Sequence, residues 1–380
     1  MGILIFSNAF SQKGIFKYGT LSPEHYKENL TFEYIKDLIF INVEINKKTY
    51  RFLVDTGAPT IISSKVKGDF KIVQQDEITD ASKNTQSVNY VLIPQMNLGA
   101  LTYRNFSAMR SDMELLQELN IDGILGANLI RKSIWDFDIV HHKIMISDYL
   151  NTETVKGFDF AKIKTLETGT PALTLVYFNS IKEHGIYFDT GYNGLFYLTD
   201  SIFEKVSKKK LLKKKIEGAG QVSKSAFGTE VGTTYMLPLE MKLGKHPIPT
   251  FLSDVNKDEE SNLGCEWLQY YHTIISKDKF YFKSNGKKIN SQFITNGINT
   301  GRDSKGLYIS FLWKNSAADK KGLRLNDRIL SVDQQAPDLR NPEAVKELED
   351  KIKENKKVLL EINTKGNFIE LKSEILLDTL

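Results

Sequence analysis

The 380-residue sequence has a single cysteine, Cys265, and only 6 histidines. One thiol excludes an intramolecular disulfide framework and a zinc site with four thiolates. The histidines are scattered, and none belongs to the His-Glu-x-x-His zinc motif. The chain also lacks Gly-x-Ser-x-Gly, a Walker A loop and a complete Gly-x-Gly-x-x-Gly, since a third glycine does not follow Gly218-Ala219-Gly220. Hydrolysis that depends on serine, zinc or a nucleotide is therefore poorly supported.

Long apolar runs and strong net charge are also missing. No run is long and apolar enough to span a membrane, so no transmembrane segment is predicted. The formal net charge is +4, and much of it lies in the basic block 208–215. That block contains only two leucines, and an isolated basic run is a weak nucleic-acid signal. We interpret it as the solvated face of a helix and expect no nucleic-acid partner.

The first 12 residues begin apolar and become small and polar, as at the end of a secretory signal that lacks its basic start. This pattern predicts a periplasmic, secreted or cell-envelope location, with the cytoplasm as the alternative. The residues before position 31 fit either a short pro-segment or a tether.

What the sequence does contain is an internal repeat around two copies of Asp-Thr-Gly. The range 39–54 is rich in apolar and β-branched residues and predicts a β-hairpin that ends at Asp55-Thr56-Gly57. The strand-like ranges 173–178 and 185–188 lead to Asp189-Thr190-Gly191 in the same way. The 22 phenylalanines and 16 tyrosines also favour strands.

Three further landmarks follow each triplet in the same order. They are a strand closed by a glycine turn, an apolar stretch with a glycine before a short helix, and a closing strand. The matched ranges are 92–99 with 237–244, 122–130 with 261–268, and 143–147 with 279–283. A single Asp-Thr-Gly is compatible with an ordinary strand-ending turn. The matched pair instead indicates two homologous lobes that arose by gene duplication.

This order of motifs resembles the aspartic peptidases of the pepsin and retroviral-protease type. The closest likeness is to bacterial retropepsin-like members that carry two lobes in tandem, and it covers about residues 31–283. The resemblance implies two β-barrel lobes, an aspartic-type endopeptidase with a polypeptide substrate, and catalysis by Asp55 and Asp189. It implies no cofactor and no metal.

Paired aspartates suit this chemistry for a physical reason. Two carboxylates a few ångströms apart do not both ionise, so they share a proton and titrate as a pair. The ionised partner takes a proton from a water that attacks the scissile carbonyl, and the protonated partner donates a hydrogen bond to the developing oxyanion.

Six further residues support the two loops in this interpretation. Two threonine hydroxyls would cross-link the loops, two glycines would let backbone N–H groups approach the carboxylates, and two more would let a neighbouring chain pass beneath each loop. They are Thr56 and Thr190, Gly57 and Gly191, and Gly126 and Gly264.

The second copy departs from the family pattern in two places. Tyr192-Asn193-Gly194 follows its triplet, with the bulky Tyr192 where a small residue is expected, and Asn262 interrupts its apolar-apolar-Gly motif. The flaps are expected near 76–91 and 216–236, with Tyr90 as either a flap tyrosine or an ordinary strand aromatic.

Two alternatives to this function stay open: a catalytically inactive peptide-binding scaffold, and a homodimer that uses one lobe per chain. With two complete triplets, we expect a monomer.

The tail carries a different pattern. The ranges 305–311 and 315–333 give a Gly-apolar strand, small residues, Gly-Leu and a turn aspartate before an apolar strand. This resembles a PDZ domain over about 297–375. The resemblance implies that a peptide, held by its C-terminus, adds as a strand beside the 306–311 strand and the 342–355 helix, with Gly306, Leu307, Tyr308 and Ile309 as contacts. The alternative is a PDZ fold that packs on the protease without a ligand.

The predicted fold class is therefore mainly β, with two retropepsin-like β-barrel lobes followed by an α+β PDZ-like domain. The predicted organisation is an N-terminal segment (1–30), a first lobe (31–150), a second lobe (151–283), a linker (284–296) and the C-terminal domain (297–380).

Overall fold

A computed structural model describes residues 14–79, 85–224, 229–257, 260–363, 366 and 368–379. The predicted secretory remnant at 1–12 lies outside these residues. Within the described part, no helix is both long and apolar enough to cross a membrane.

The first half of the chain is built of strands with two short helices. The elements are β1 (Thr20–Ser22), β2 (Lys27–Leu30), β3 (Phe32–Ile35), β4 (Leu38–Ile45), β5 (Lys48–Asp55), β6 (Ile61–Ile62), β7 (Ile72–Thr79), β8 (Thr85–Leu98), β9 (Leu101–Arg110), α1 (Glu114–Glu118), β10 (Gly123–Gly126), α2 (Ala127–Ile130), β11 (Ile134–Asp138) and β12 (Lys143–Ser147). Short 3-10 helices lie at Ile15–Lys17 and Ile139–His141.

The β4–β5 hairpin predicted at 39–54 is present. Its two-residue turn, Asn46-Lys47, has φ values of 52° and 62°, as a type I′ turn requires. That turn matches the twist of the flanking strands, which pair from Phe40 with Leu53 to Ile45 with Lys48. The hairpin therefore delivers Asp55 to the end of a buried strand.

The second half repeats this plan. Its elements are β13 (Asp159–Thr165), β14 (Pro171–Leu173), β15 (Val176–Phe178), β16 (Ile181–Glu183), β17 (Ile186–Asp189), β18 (Phe196–Thr199), α3 (Asp200–Lys208), β19 (Ile216–Lys224), β20 (Thr229–Leu243), β21 (His246–Asn256), β22 (Asn262–Gly264), β23 (Tyr271–Ile275) and β24 (Lys279–Ser284). A 3-10 helix lies at Cys265–Gln269. Helix α3 ends at Lys208, so most of the basic block follows the helix and does not form its face.

The same strand pairing occurs in both lobes. In lobe 1, β10 runs parallel to β5, with Gly126 beside Asp55. In lobe 2, β22 runs parallel to β17, with Gly264 beside Asp189. Both loops that carry an aspartate are thus fixed by a parallel strand that ends in glycine.

A sheet made of strands from both halves joins the lobes. It runs in the order β2, β12, β11, β23, β24 and β13. Strands β11 and β23 meet at its centre, with Trp135 beside Ile275. The predicted tether at 1–30 contributes to this framework, because β2 pairs with β12 and β1 pairs with β9. Strands β1 and β2 have too few residues for an alternating apolar pattern to identify them in the sequence.

The C-terminal domain has its own core. Its elements are β25 (Gln292–Thr295), β26 (Ile298–Asp303), β27 (Gly306–Trp313), α4 (Ala317–Lys320), β28 (Arg328–Val332), α5 (Pro342–Glu354), β29 (Lys357–Ile362), β30 (Phe368–Lys372) and β31 (Glu374–Asp378). Val345, Leu348 and Ile352 of α5 are buried in that core, as the helical spacing predicts. β25 pairs with β31, so this domain already includes the end of the predicted linker.

The C-terminal domain is also joined to lobe 2 by strand pairing. Strand β19 of lobe 2 runs antiparallel to β27, with Gly218 beside Trp313 and Gly220 beside Phe311. Strand β27 pairs with β26 along its other edge. The β19–β20 hairpin, one of the two predicted flap regions, therefore continues into the sheet of the C-terminal domain.

Candidate active site

The two aspartates lie buried at the junction of the lobes. Asp55 ends β5 and Asp189 ends β17, and neither side chain is exposed to solvent. An isolated buried charge is costly, so each carboxyl needs donors or a shared proton. The contacts around the two groups show how this need is met.

Asp55 is held by backbone donors from its own loop. Its Oδ1 accepts hydrogen bonds from the N–H groups of Gly57 at 2.7 Å and Ala58 at 2.9 Å. No N–H group among the described residues donates to its Oδ2, and the carboxyl shares a side-chain hydrogen bond with Asp189. One oxygen is therefore fixed, and the other is available for a proton or a water.

Asp189 has a different set of donors. Its Oδ1 accepts from the N–H of Gly191 at 2.9 Å, and its Oδ2 accepts from the side-chain amide of Asn262 at 2.8 Å. The sequence identified Asn262 only as a departure from the family pattern. The structure shows that this residue contacts the carboxylate directly.

The loop glycines bring each carboxylate against the opposite loop. A Cβ atom placed on Gly57 would lie 2.5 Å from Oδ1 of Asp189, and one on Gly191 would lie 2.3 Å from Oδ2 of Asp55. Both distances are far below van der Waals contact. The absence of a side chain at these two positions therefore lets the carboxylates approach across the lobe junction.

The threonines of the two triplets cross-link the loops. Each hydroxyl accepts from the N–H of the other threonine, at 3.0 Å for Thr56 and 3.1 Å for Thr190. Each also donates across the junction, from Thr56 to the carbonyl of Phe188 at 2.5 Å and from Thr190 to that of Val54 at 2.8 Å. Four buried hydrogen bonds thus fix the two loops relative to each other.

A second pair of glycines lies beneath the loops. A Cβ on Gly126 would lie 2.2 Å from the backbone nitrogen of Thr60, and one on Gly264 would lie 2.2 Å from the carbonyl oxygen of Gly194. The chain that follows each triplet passes directly against these glycines, so a side chain at either position would displace it.

Sequence reasoning missed a buried polar network under the first loop. Asn128 Oδ1 accepts from both the N–H and the hydroxyl of Thr60, each at 2.8 Å. The Thr60 hydroxyl in turn accepts from the N–H of Gly126 at 3.1 Å, and the Asn128 amide donates to the carbonyl of Ser107. Asn128 is a polar residue in the otherwise apolar helix α2, and this was the sequence feature that could have indicated the network.

Burial raises the pKa of both aspartates above the ordinary range of an aspartate. For Asp189 the neighbouring Asp55 adds to this increase in pKa, because one negative charge disfavours the other. The backbone N–H groups act in the opposite sense and lower the pKa of each carboxyl. The result is a pair that holds a proton above the pH at which an exposed aspartate loses it.

The other residues singled out from the sequence lie near this site or in the core around it. Tyr192 is buried and stacks edge to face on Tyr197, with ring centroids 5.0 Å apart. Tyr90 is fully buried in β8 against Phe16, in the core of lobe 1 and away from the hairpin tip. Tyr90 is therefore a strand aromatic, the second of the two interpretations that its position allowed.

The predicted peptide contacts in the C-terminal domain need correction. Leu307 and Ile309 are buried in the domain core, and the Tyr308 hydroxyl accepts from Gln221 of lobe 2 at 2.9 Å. Strand β27, which begins at Gly306, pairs with β26 on one edge and with β28 and β19 on the other. No edge of the described β27 is left for an added peptide strand.

The strand that packs beside α5 is β26. Its only strand partner among the described elements is β27, so its second edge is unpaired there. A peptide strand would therefore add to β26 rather than to β27.

Within the described ranges, no group of three or more His, Cys, Asp or Glu side chains is arranged to hold a metal ion.

Known proteins resemble two parts of the chain. Residues 41–129 match the family model of an aspartyl protease, and residues 286–363 match the model of the PDZ domain. No curated protein matches the chain.

Two solved structures resemble a larger part of the chain. An aspartic proteinase from Irpex lacteus is 13% identical, with a TM-score of 0.46 over 68% of this chain and 98% of that one. Basic 7S globulin from soybean is also 13% identical, with a TM-score of 0.41 over 70% of this chain and 98% of that one.

The two family matches fall where the sequence motifs predicted them, and the mainly β architecture agrees with the predicted fold class. The chain thus contains a region similar to the aspartyl protease family, followed by a region similar to the PDZ domain.

Proposed function

We propose that the protein is an aspartic endopeptidase in which Asp55 and Asp189 activate one water. The observation that carries this proposal is the approach of the two carboxylates across the lobe junction, where a Cβ on Gly57 would lie 2.5 Å from Asp189. A structural role alone gives no reason to bury two acidic groups against each other, because their mutual repulsion opposes folding.

The chemistry needs only these groups and a water. The ionised aspartate accepts a proton from the water, whose oxygen attacks the carbonyl carbon of the peptide bond. The protonated aspartate donates its hydrogen bond to the carbonyl oxygen as negative charge develops there. Return of the proton to the amide nitrogen then lets the C–N bond break and restores the pair.

The same proposal gives the PDZ domain a role in holding polypeptide. Its unpaired β26 edge beside α5 fits an extended chain that adds as a strand. Because β19 of lobe 2 pairs with β27, a chain held there lies on a domain fixed to the protease lobes. A periplasmic or secreted location remains part of this proposal, supported by the apolar start of the sequence.

Cleavage profiling of a proteome-derived peptide library tests the function. We expect the wild type to cut peptides internally, and the double variant Asp55→Asn/Asp189→Asn to cut none. The amides keep the shape of the carboxyls but cannot cycle a proton. Asp278→Asn is the matched control, since Asp278 is exposed in a turn and the same substitution there leaves the site intact.

Two other outcomes would favour the alternatives. A wild type that protects peptides in a binding assay without cutting them would indicate a scaffold. Specific activity that rises with protein concentration would indicate that two chains are needed. We expect specific activity to be independent of concentration, because one chain supplies both aspartates.

A further inference from the structure

Asn262 occupies a position in lobe 2 that is apolar in lobe 1. It lies two residues before Gly264, the glycine that pairs with Asp189. The corresponding residue of β10 is Ile124, which lies in an apolar cluster. The duplication therefore left an amide at one of two equivalent positions.

The amide is buried and directed at the carboxylate. Asn262 is 1% exposed, and its Nδ2 donates to Oδ2 of Asp189 at 2.8 Å. Its own Oδ1 has no hydrogen-bond partner among the described residues. A buried amide oxygen without a hydrogen bond opposes folding, so the Asn262–Asp189 contact is kept in spite of a cost to stability.

The donor sets of the two aspartates consequently differ. Oδ2 of Asp189 accepts from the Asn262 amide, whereas no N–H group in the described part of the chain donates to Oδ2 of Asp55. A hydrogen bond to an ionised carboxylate is stronger than one to its neutral form and therefore favours ionisation. The additional donor to Asp189 therefore affects both the orientation of this carboxylate and the pKa of the pair.

We propose that Asn262 is a positioning residue that orients the Asp189 carboxylate and stabilises the singly ionised form of the pair. This inference rests on the proposed function and names a residue that tunes it. Asn262 touches Asp189, and we assign it no contact with the substrate.

Few other titratable groups face Asp189. Asp55 lies opposite, and Cys265 lies at the start of the neighbouring 3-10 helix, where burial raises the pKa of its thiol. Tyr197 of β18 is in register with Asn262. The two strands that flank β17, β14 and β22, contain no titratable side chain. Substitution of Asn262 changes none of these groups.

The test compares Asn262→Leu with Ile124→Leu at the equivalent position of lobe 1. Leucine resembles asparagine in shape but cannot donate. We expect the acid limb of the pH profile of kcat/KM to move upward by about one pH unit in Asn262→Leu, with KM little changed. Ile124→Leu should keep the acid limb of the wild type. An unshifted acid limb in Asn262→Leu would overturn the inference while leaving the proposed function intact.

Two provisions keep the test decisive. Asn262→Val, with a β-branched side chain suited to a strand, replaces Asn262→Leu if that variant does not fold.

If the wild type cleaves nothing, the proposed function fails, and urea unfolding at several pH values tests the inference. Loss of the amide raises the pKa of the pair further, so the variant should lose more stability than the wild type between pH 4 and pH 7. Equal losses would overturn the inference.

Discussion

At the scale of single residues, the site is set by what contacts each carboxylate oxygen. Three backbone N–H groups and one side-chain amide hold three of the four oxygens of Asp55 and Asp189. The backbone donors lower the pKa of the two carboxyls, while burial raises it more. The balance gives each group a pKa above that of the unfolded chain.

The stability of the protein should depend on pH through this pair. A carboxyl whose pKa is raised on folding stabilises the native state below its unfolded pKa, about 4, and this stabilisation is lost as the pH rises through the folded-state pKa. We expect Asp55→Asn/Asp189→Asn to lose less free energy of unfolding than the wild type between pH 4 and pH 7. The difference should be about 1.4 kcal/mol for each unit by which a pKa is raised.

Urea unfolding at a series of pH values measures this difference. Asp278→Asn provides the control, and its curve should run parallel to that of the wild type because Asp278 is exposed. A double variant whose stability falls in parallel with the wild type would mean that the buried pair does not carry a raised pKa.

Much of the residue-level site was predictable, because the triplets stand out as an exact repeat at strand ends. The role of Asn262 was not predictable, since a lone polar residue in an apolar motif indicates a departure without naming its partner. Likewise, Thr60 and Asn128 are 68 positions apart in the sequence, and only the folded loop brings them together.

At the scale of elements, prediction succeeded where periodicity was local. The β4–β5 hairpin and α5 follow from alternation, turn residues and helical spacing. Prediction failed where the question was which strand pairs with which. The apolar pattern of β27 marked it correctly as a buried strand, but that pattern does not show that β19 pairs with its edge.

The β19–β27 pairing depends on a glycine with unusual geometry. Gly220 has φ at +128°, and a Cβ there would lie 2.2 Å from the carbonyl oxygen of Ser310. Gly220→Ala should therefore destabilise the protein by roughly 1–3 kcal/mol, because it combines backbone strain with a clash against backbone. Urea unfolding measures the loss.

Gly232 provides a matched control for this substitution. It lies opposite Gly220 in the same hairpin, and a Cβ there would meet first the end of the flexible Lys257 side chain. Gly232→Ala should therefore have a small effect. Similar stability in the two variants would contradict the inferred constraint at the β19–β27 junction.

At the scale of the whole molecule, contacts between distant parts fix the site. The sheet from β2 to β13 joins the two lobes, and the threonines join the loops directly. The PDZ domain pairs with lobe 2, and its α5 contacts lobe 1 through an ion pair of 3.3 Å between Asp350 and Lys36. The repeat predicted that two lobes would face each other, but it carried no information on where the third domain would sit.

The proposed reaction needs one aspartate from each lobe. The most direct test is kcat/KM of Asp189→Asn on the peptide that the wild type cleaves best. One remaining aspartate cannot act as both base and acid, so kcat/KM should fall by about 10³-fold or more, while the variant keeps its folded structure. Activity within a few-fold of the wild type would show that Asp55 works without its partner and would contradict the shared-water mechanism.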